Sequence, residues 1–400
     1  LMKRTLLLFA LLCATTFSAV ADKGMWLPSL ISSRIKDMKS KGFKLSAEDI
    51  YSINQASLKD AVVLFDGGCT GEIVSEQGLL ITNHHCGYDA IQALSTVEND
   101  YLTNGYWAMS NAEELPCAGL KVHILVRMDE VTQRLAAGET REEIIAKAEA
   151  EGVGYRAKVE SMYYGNQAYL FIYREFNDVR LVGAPPTTIG KFGADNDNWI
   201  WPRHTGDFSI FRIYANENNE PAAYSADNKP YKPARHFKIS TKGVKEGDFT
   251  MIYGFPGNTQ EYITSDAVEY IAETSDPTKI ALRTERLDII GAAQELSPET
   301  RIKYAAKQAN IANAWKKWQG EVKGINRLGT YDKKVAYEER FRQANPDKAY
   351  LLDSLSAAYK RNIDGYFHYE LYSETLRGIE LQQVVYIAAD ERLSDEERMA

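Results

Sequence analysis

The sequence predicts a β + α protein, with a strand-rich region up to about residue 265 and a helical region after it. Three observations carry that expectation. Residues 69–90, CTGEIVSEQGLLITNHHCGYDA, read as strand, Gly-bearing turn and second strand, with Asn83, His84, His85 and Cys86 directly after it. Asp207-Phe208-Ser209-Ile210-Phe211-Arg212-Ile213-Tyr214 alternates apolar and polar residues behind an opening acid. From Tyr262 onward the segments become long, charged and helically periodic.

Met2, Lys3 and Arg4 form a positive start, residues 5–17 are an apolar run too short to span a bilayer comfortably, and Ala19-Val20-Ala21 is a small-residue cleavage site. Residues 1–21 therefore read as a secretory signal peptide, with Asp22 as the mature start. Cys13 fits a lipoprotein site poorly, because Leu12 before it is large. No later stretch is apolar enough to cross a membrane.

Residues 22–50 read as a cap region with a short amphipathic helix over 31–41. Strands follow at 61–65, in the hairpin and at 120–128, where His123 reads as a packed residue. A helix could begin at 89–94. Residues 131–151 interrupt the β pattern with helical spacing of Val131, Leu135, Ile144 and Ile145. Strands return at 169–176, 179–182 and 207–214, and residues 237–240 and 249–253 are expected to continue the sheet. Helices are expected over 268–274, 278–293, 297–323, 333–343 and 347–371. The domain boundary falls near 265, giving a strand domain over 22–265 and a helical domain over 266–400.

The 400 residues are 44% hydrophobic, enough for a large core and more than one domain. The net charge of -8, with no basic stripe, argues against a nucleic-acid partner.

A histidine on a rigid strand end can hold the geometry a general base requires, which singles out His85. Such a base needs a carboxylate that accepts its second N–H, fixes the tautomer and stabilises the imidazolium; Asp207 is the candidate. Taken alone, each has a plainer reading: a surface hairpin that contains histidines, and a turn or cap aspartate. In an exported protein Cys69 and Cys86 are a natural disulfide pair that closes the loop carrying His85. Cys117 is left as a buried thiol or as a partner for something outside this chain. Adjacent His84, His85 and Cys86 do not converge on a zinc ion, and no second ligand pair has metal spacing. The run from Asp195 to Asn198 fails the calcium-loop pattern at Trp199 and Ile200. No metal or cofactor is expected.

Three blocks go further: residues 67–73 (GGCTGEI), 82–89 (TNHHCGYD) and 197–208 (DNWIWPRHTGDF). With them the mature chain resembles the bacterial dipeptidyl peptidases 7 and 11, exported serine peptidases. The resemblance implies an incomplete chymotrypsin-like (trypsin-like) double β-barrel with an inserted, truncated helical cap. It implies His85 as general base and Asp207 as its partner. Asn198 and Trp199, with Asn313 from the helical region, would hold the free amino end of a peptide substrate. Ammonium groups have only donors, so amide oxygens suit them, and an indole adds packing or a cation–π contribution. Two extended residues span roughly 7 Å, so such an anchor would measure off a dipeptide. The plainer readings are a loop with a core indole and an ordinary polar helix position. Arg203 would orient the loop or brace Asn198. The family also implies a homodimer, located in the periplasm or at the cell surface of a Gram-negative bacterium.

One departure stands out. No Gly-x-Ser-Gly turn occurs, and Ser209 and Ser265 lack flanking glycines for an oxyanion hole. The chain therefore reads as the N-terminal part of a longer peptidase, inactive alone. A peptide-binding module without catalysis and a trypsin-like endopeptidase are the alternatives.

Overall fold

The computed structural model describes residues 25–258, 260–377, 380–389 and 394. The expected signal peptide at 1–21, Cys13 included, lies outside them. Eleven strands form one sheet: β1 (Val62–Phe65), β2 (Cys69–Ile73), β3 (Leu79–Thr82), β4 (Tyr106–Trp107), β5 (Leu115–Pro116), β6 (Val122–Glu130), β7 (Tyr155–Met162), β8 (Gln167–Phe176), β9 (Val179–Ala184), β10 (Ser209–Ala215) and β11 (Lys229–Pro230). The order is β4-β9-β10-β3-β2-β1-β6-β8-β7, with β5 on β9 and β11 on β10, and all pairings are antiparallel.

This corrects the expected chymotrypsin-like double β-barrel. A barrel closes when its last strand bonds back to its first. Here the end strands β4 and β7 each pair on one side only, so the sheet is open. The expected strands at 237–240 and 249–253 are also irregular. Their backbone finds one bond to the sheet, from Phe237 N–H to the Ile73 carbonyl, and Ile239 and Ile252 face solvent. Apolar runs become strands only where a neighbouring edge accepts them.

The β2–β3 hairpin is fixed by its turn. The Ser75 hydroxyl accepts the Gln77 and Leu79 N–H groups, and Gly78 takes the left-handed conformation at φ 65. Along β3, Leu80 and Thr82 are buried while Leu79 and Ile81 are less so. β10 pairs with β3 in the register Ser209↔Thr82, Phe211↔Leu80. Phe65, Ile73, Leu80, Phe211 and Ile213 are fully buried in one cluster. At roughly 1.5–3 kcal/mol for each, a one-residue slip would turn several of them out to the other face, so the register is pinned.

Helix α1 (His84–Leu94) covers this face through Tyr88 and Ile91. On the β6–β8–β7 arm, α2 (Arg141–Glu149) packs Ile144 and Ala148 onto Leu170 and Ile172. From Ser265 every regular element is helical: a turn at Ser265–Tyr270, a π-helical turn at Ile271–Ser275, then α3 (Asp276–Gln294), α4 (Pro298–Leu328), α5 (Thr330–Ala344), α6 (Ala349–Thr375) and α7 (Glu380–Ala389). α4 starts with a Ser297 hydroxyl cap and Pro298 at its first position, and stops at Gly329 in the left-handed region. Ala305 and Ala306 of α4 belong to the main core, which seats the helical part on α1. α3 and α6 are joined by the Arg283 guanidinium, which donates twice to Glu374 at 2.8 Å. Among the described residues no helix is long and apolar enough to cross a membrane.

Candidate active site

His85 lies not on a strand end but in the first turn of α1, which starts directly after β3. Asn83 has the extended backbone of an N-cap residue, yet its side chain makes no capping bond. The orphan N–H of a helix start needs an acceptor. Asp207, two residues before β10, supplies it: Oδ1 accepts the His85 backbone N–H at 3.0 Å. Its other oxygen, Oδ2, lies 2.7 Å from His85 Nδ1. The β3–β10 pairing therefore brings together two residues 122 apart in sequence.

Burial pushes the Asp207 carboxyl up, but the His85 hydrogen bond and the facing imidazoles outweigh it and hold it below its ordinary value. The carboxylate is then an acceptor only, so Nδ1 carries the proton and Nε2 is left to accept one. The Asp207 side chain is 17% exposed and that of His85 is 64% exposed, so the imidazole faces the open side. The Asn83 amide donates to the Asp207 carbonyl at 3.2 Å and more weakly to Oδ2 at 3.4 Å. The Ser209 hydroxyl donates to the Asn83 carbonyl at 2.9 Å. Gly87 allows this approach, since a Cβ there would meet Ser209 Oγ at 2.7 Å and the Phe211 ring at 2.9 Å.

Cys69 and Cys86 form a disulfide that ties β2 to the first turn of α1, with Cα atoms 6.1 Å apart. Cys69, His85 and Cys86 are the one group of potential metal ligands that converges among the described residues, and the bridged sulfurs are not thiolates. Cys117 is a buried free thiol, pushed up to about 12 by burial.

His84 points the other way. It is 1% exposed, edge-on to Tyr88 and pressed against Gly190, and its Nε2 has no partner. Burial lowers its pKa to about 4, so the ring is neutral at pH 7.

The second group of expected site residues also meets. The Asn198 amide donates to Asn313 Oδ1 at 2.9 Å, and the Trp199 indole N–H points to Asn313 Oδ1 at 2.9 Å and to its carbonyl at 3.0 Å. The Trp199 backbone N–H donates to Asn198 Oδ1 at 3.1 Å. Asn313 Oδ1 thus takes two donors, while Asn198 Oδ1 takes one and keeps a lone pair for a second. Trp199 sits at φ 58, a region bulky residues enter only when neighbours hold them there. Arg203 is exposed and makes no hydrogen bond or ion pair among the described residues, with Asn198 or otherwise.

The sequence alone does not assign Asn83 and Ser209 to this site, nor His84 to the core beside it. Ser209 drew notice only as a poor nucleophile; it is fully buried and bonded to Asn83. Ser265 is likewise engaged, its hydroxyl donating to Glu338 at 2.6 Å. The available signal was position: Asn83 precedes the histidines, and Ser209 stands two residues after Asp207.

The sequence pattern of the peptidase S46 family matches residues 21–400. Over 336 residues the chain is 52% identical to an Asp/Glu-specific dipeptidyl-peptidase of Capnocytophaga gingivalis, covering 80% of this chain and 47% of that protein. Over 402 residues it is 41% identical to the dipeptidyl-peptidase 7 of Phocaeicola vulgatus, covering 94% of this chain and 56% of that one. The crystal structure of Porphyromonas endodontalis DPP11 in complex with the dipeptide Arg-Glu superposes with a TM-score of 0.85 at 40% identity, over 95% of this chain and 58% of that one. The chain spans about half the length of the curated relatives it matches. With its strand–histidine block, its distant aspartate and its amide–indole cluster lying along that match, the chain belongs to the peptidase S46 family.

Proposed function

We propose that this chain carries the general base and the substrate-amine anchor of a serine dipeptidyl peptidase that releases dipeptides from free peptide N-termini. The carrying observation is the His85–Asp207 contact of 2.7 Å, doubled by the backbone bond to the same carboxylate. Asp207 orients the imidazole, and Nε2 takes the proton of an attacking hydroxyl. Asn198 Oδ1, with its spare lone pair, receives the substrate ammonium, and Trp199 and Asn313 hold that amide in place. The relatives named as dipeptidyl-peptidases, and the solved relative holding a dipeptide, support this assignment. No nucleophile is assigned within the 400 residues, because no serine in them sits on a glycine-flanked turn. The disulfide supports an oxidising compartment, the periplasm or cell surface.

The test uses the product of the uninterrupted gene, with dipeptidyl substrates bearing free or acetylated amino ends. Wild type cleaves only the free form, and Asp207→Asn lowers kcat about 10⁴-fold. Equal cleavage of blocked substrate would favour an endopeptidase and remove the anchor. A full-length protein with no glycine-flanked serine would favour the second reading, a binding module without catalysis.

A further inference from the structure

The loop that ends in Asn198 and Trp199 is wound against its backbone preferences. Gly193, Ala194 and Trp199 have φ of 76, 46 and 58. Left-handed conformations at alanine and tryptophan persist only where surrounding groups over-determine them. Asn313 holds the far end of this loop. At the near end, the Gln308 amide donates to Asp195 Oδ2 at 2.9 Å. Lys191 also approaches Asp195, at 3.5 Å from Oδ1, and lies 5.8 Å from the Tyr88 ring of α1, a longer contact on both sides than the 2.9 Å Gln308 bond.

Gln308 stands on the part of α4 whose place is fixed by the core. Ala305 and Ala306 are buried against α1. The Ala306 N–H donates to Gln92 Oε1 at 2.6 Å, and Arg301 donates to Asp100 and Thr103 at 2.5 and 2.9 Å. Five residues separate Gln308 from Asn313, roughly 7.5 Å of helix axis. One helix, registered against the helix that bears His85, thus clamps both ends of the loop.

We propose that Gln308 is a positioning residue for the amino-end anchor: through Asp195 it fixes the loop so that Asn198 and Trp199 meet Asn313 at a set place relative to His85. It touches no substrate. The inference rests on the anchor reading given above, but its first test does not.

Hydrogen exchange on the 400-residue chain needs no ligand. Gln308→Glu sets a second carboxylate against Asp195, while Gln308→Lys keeps a donor. Exchange at 194–199 should rise about tenfold in the Glu variant and stay near wild type in the Lys variant, with residues 301–313 unchanged in both. Equal protection of 194–199 in wild type and Gln308→Glu overturns the proposal. So does a rise that spreads along α4, which would mark a merely structural role. The second test is calorimetric titration with the dipeptide Arg-Glu and its N-acetyl form. Gln308→Glu should weaken the free dipeptide about tenfold or more and Gln308→Lys should retain it. If wild type does not prefer the free amine, the anchor reading fails, whatever the exchange data show. If it does and Gln308→Glu binds equally well, the positioning role fails alone.

Discussion

His84 makes the fold sensitive to mild acid. The ring is sealed against Gly190 and Tyr88, and its Nε2 has no acceptor or donor to greet a proton. Its pKa falls from 6.5 to about 4, chiefly through burial, with the attraction of Asp207 partly opposing and His85 and Lys191 reinforcing. The folded state therefore binds this proton less readily than the unfolded chain, and the stability His84 allows is lost as pH drops through the window from 6.5 to 4. With these two values the loss between pH 7 and pH 4.5 is about 2.5 kcal/mol. Asp207 acts in the same direction but lower. Its depressed carboxyl contributes stability above the unfolded carboxylate range, which is lost as pH falls through the folded value. Urea denaturation of wild type and of His84→Phe, from pH 7.5 to 4.5, separates the two. Phenylalanine keeps a ring in the slot and removes the titration, so the variant should gain on wild type by about 2.5 kcal/mol as the pH falls. A stability difference constant to within about 0.5 kcal/mol across that range would refute the reasoning, whatever its absolute value. His84→Asn provides the check should phenylalanine prove too large.

Gly87→Ala should cost about 1–3 kcal/mol in chemical denaturation, because the new methyl meets Ser209 Oγ at 2.7 Å and the Phe211 ring at 2.9 Å. Reducing the Cys69–Cys86 bridge, which closes a 17-residue separation, should lower stability by about 3 kcal/mol, measured with and without reductant. Glu114→Ala should cost about 2–4 kcal/mol in the same assay, since it leaves the half-buried Arg212 guanidinium with the Gln77 carbonyl but without its 2.9 Å carboxylate, and the buried Tyr214 hydroxyl without its acceptor.

The parts of the fold that could be read from the letters are those whose partners lie close in sequence or whose burial repeats at a fixed period. β3 and β10 are short apolar-rich runs whose burial alternates over Leu79–Thr82 and over residues 209–213. α4 announces itself with Ser297-Pro298 and Gly329. β7 goes unread although YRAKVE alternates, with Tyr155, Ala157 and Val159 on the packed side, because the run is short, only half-buried and directly follows the helical segment. The helix start expected at 89 lies five residues after the observed one at His84, for a different reason. Its first turn has no local cap, and the acceptor for the His85 N–H comes from Asp207. The segments at 237–240 and 249–253 have strand composition, but composition does not specify which edge will receive a strand. At the site, the histidine, the aspartate and the amide cluster were legible as residue types. The roles of Asn83 and Ser209 were not, because each depends on a carbonyl or carboxylate brought near by the β3–β10 register.

Using one carboxylate both to finish a helix and to aim an imidazole dictates an order of assembly. Until the segment with residue 207 has been made and laid beside the hairpin, the turn holding residue 85 lacks its terminating acceptor and its ring lacks a direction. For roughly half of the 400 residues a nascent chain therefore has neither a finished helix start nor an aimed imidazole, and one docking event supplies both.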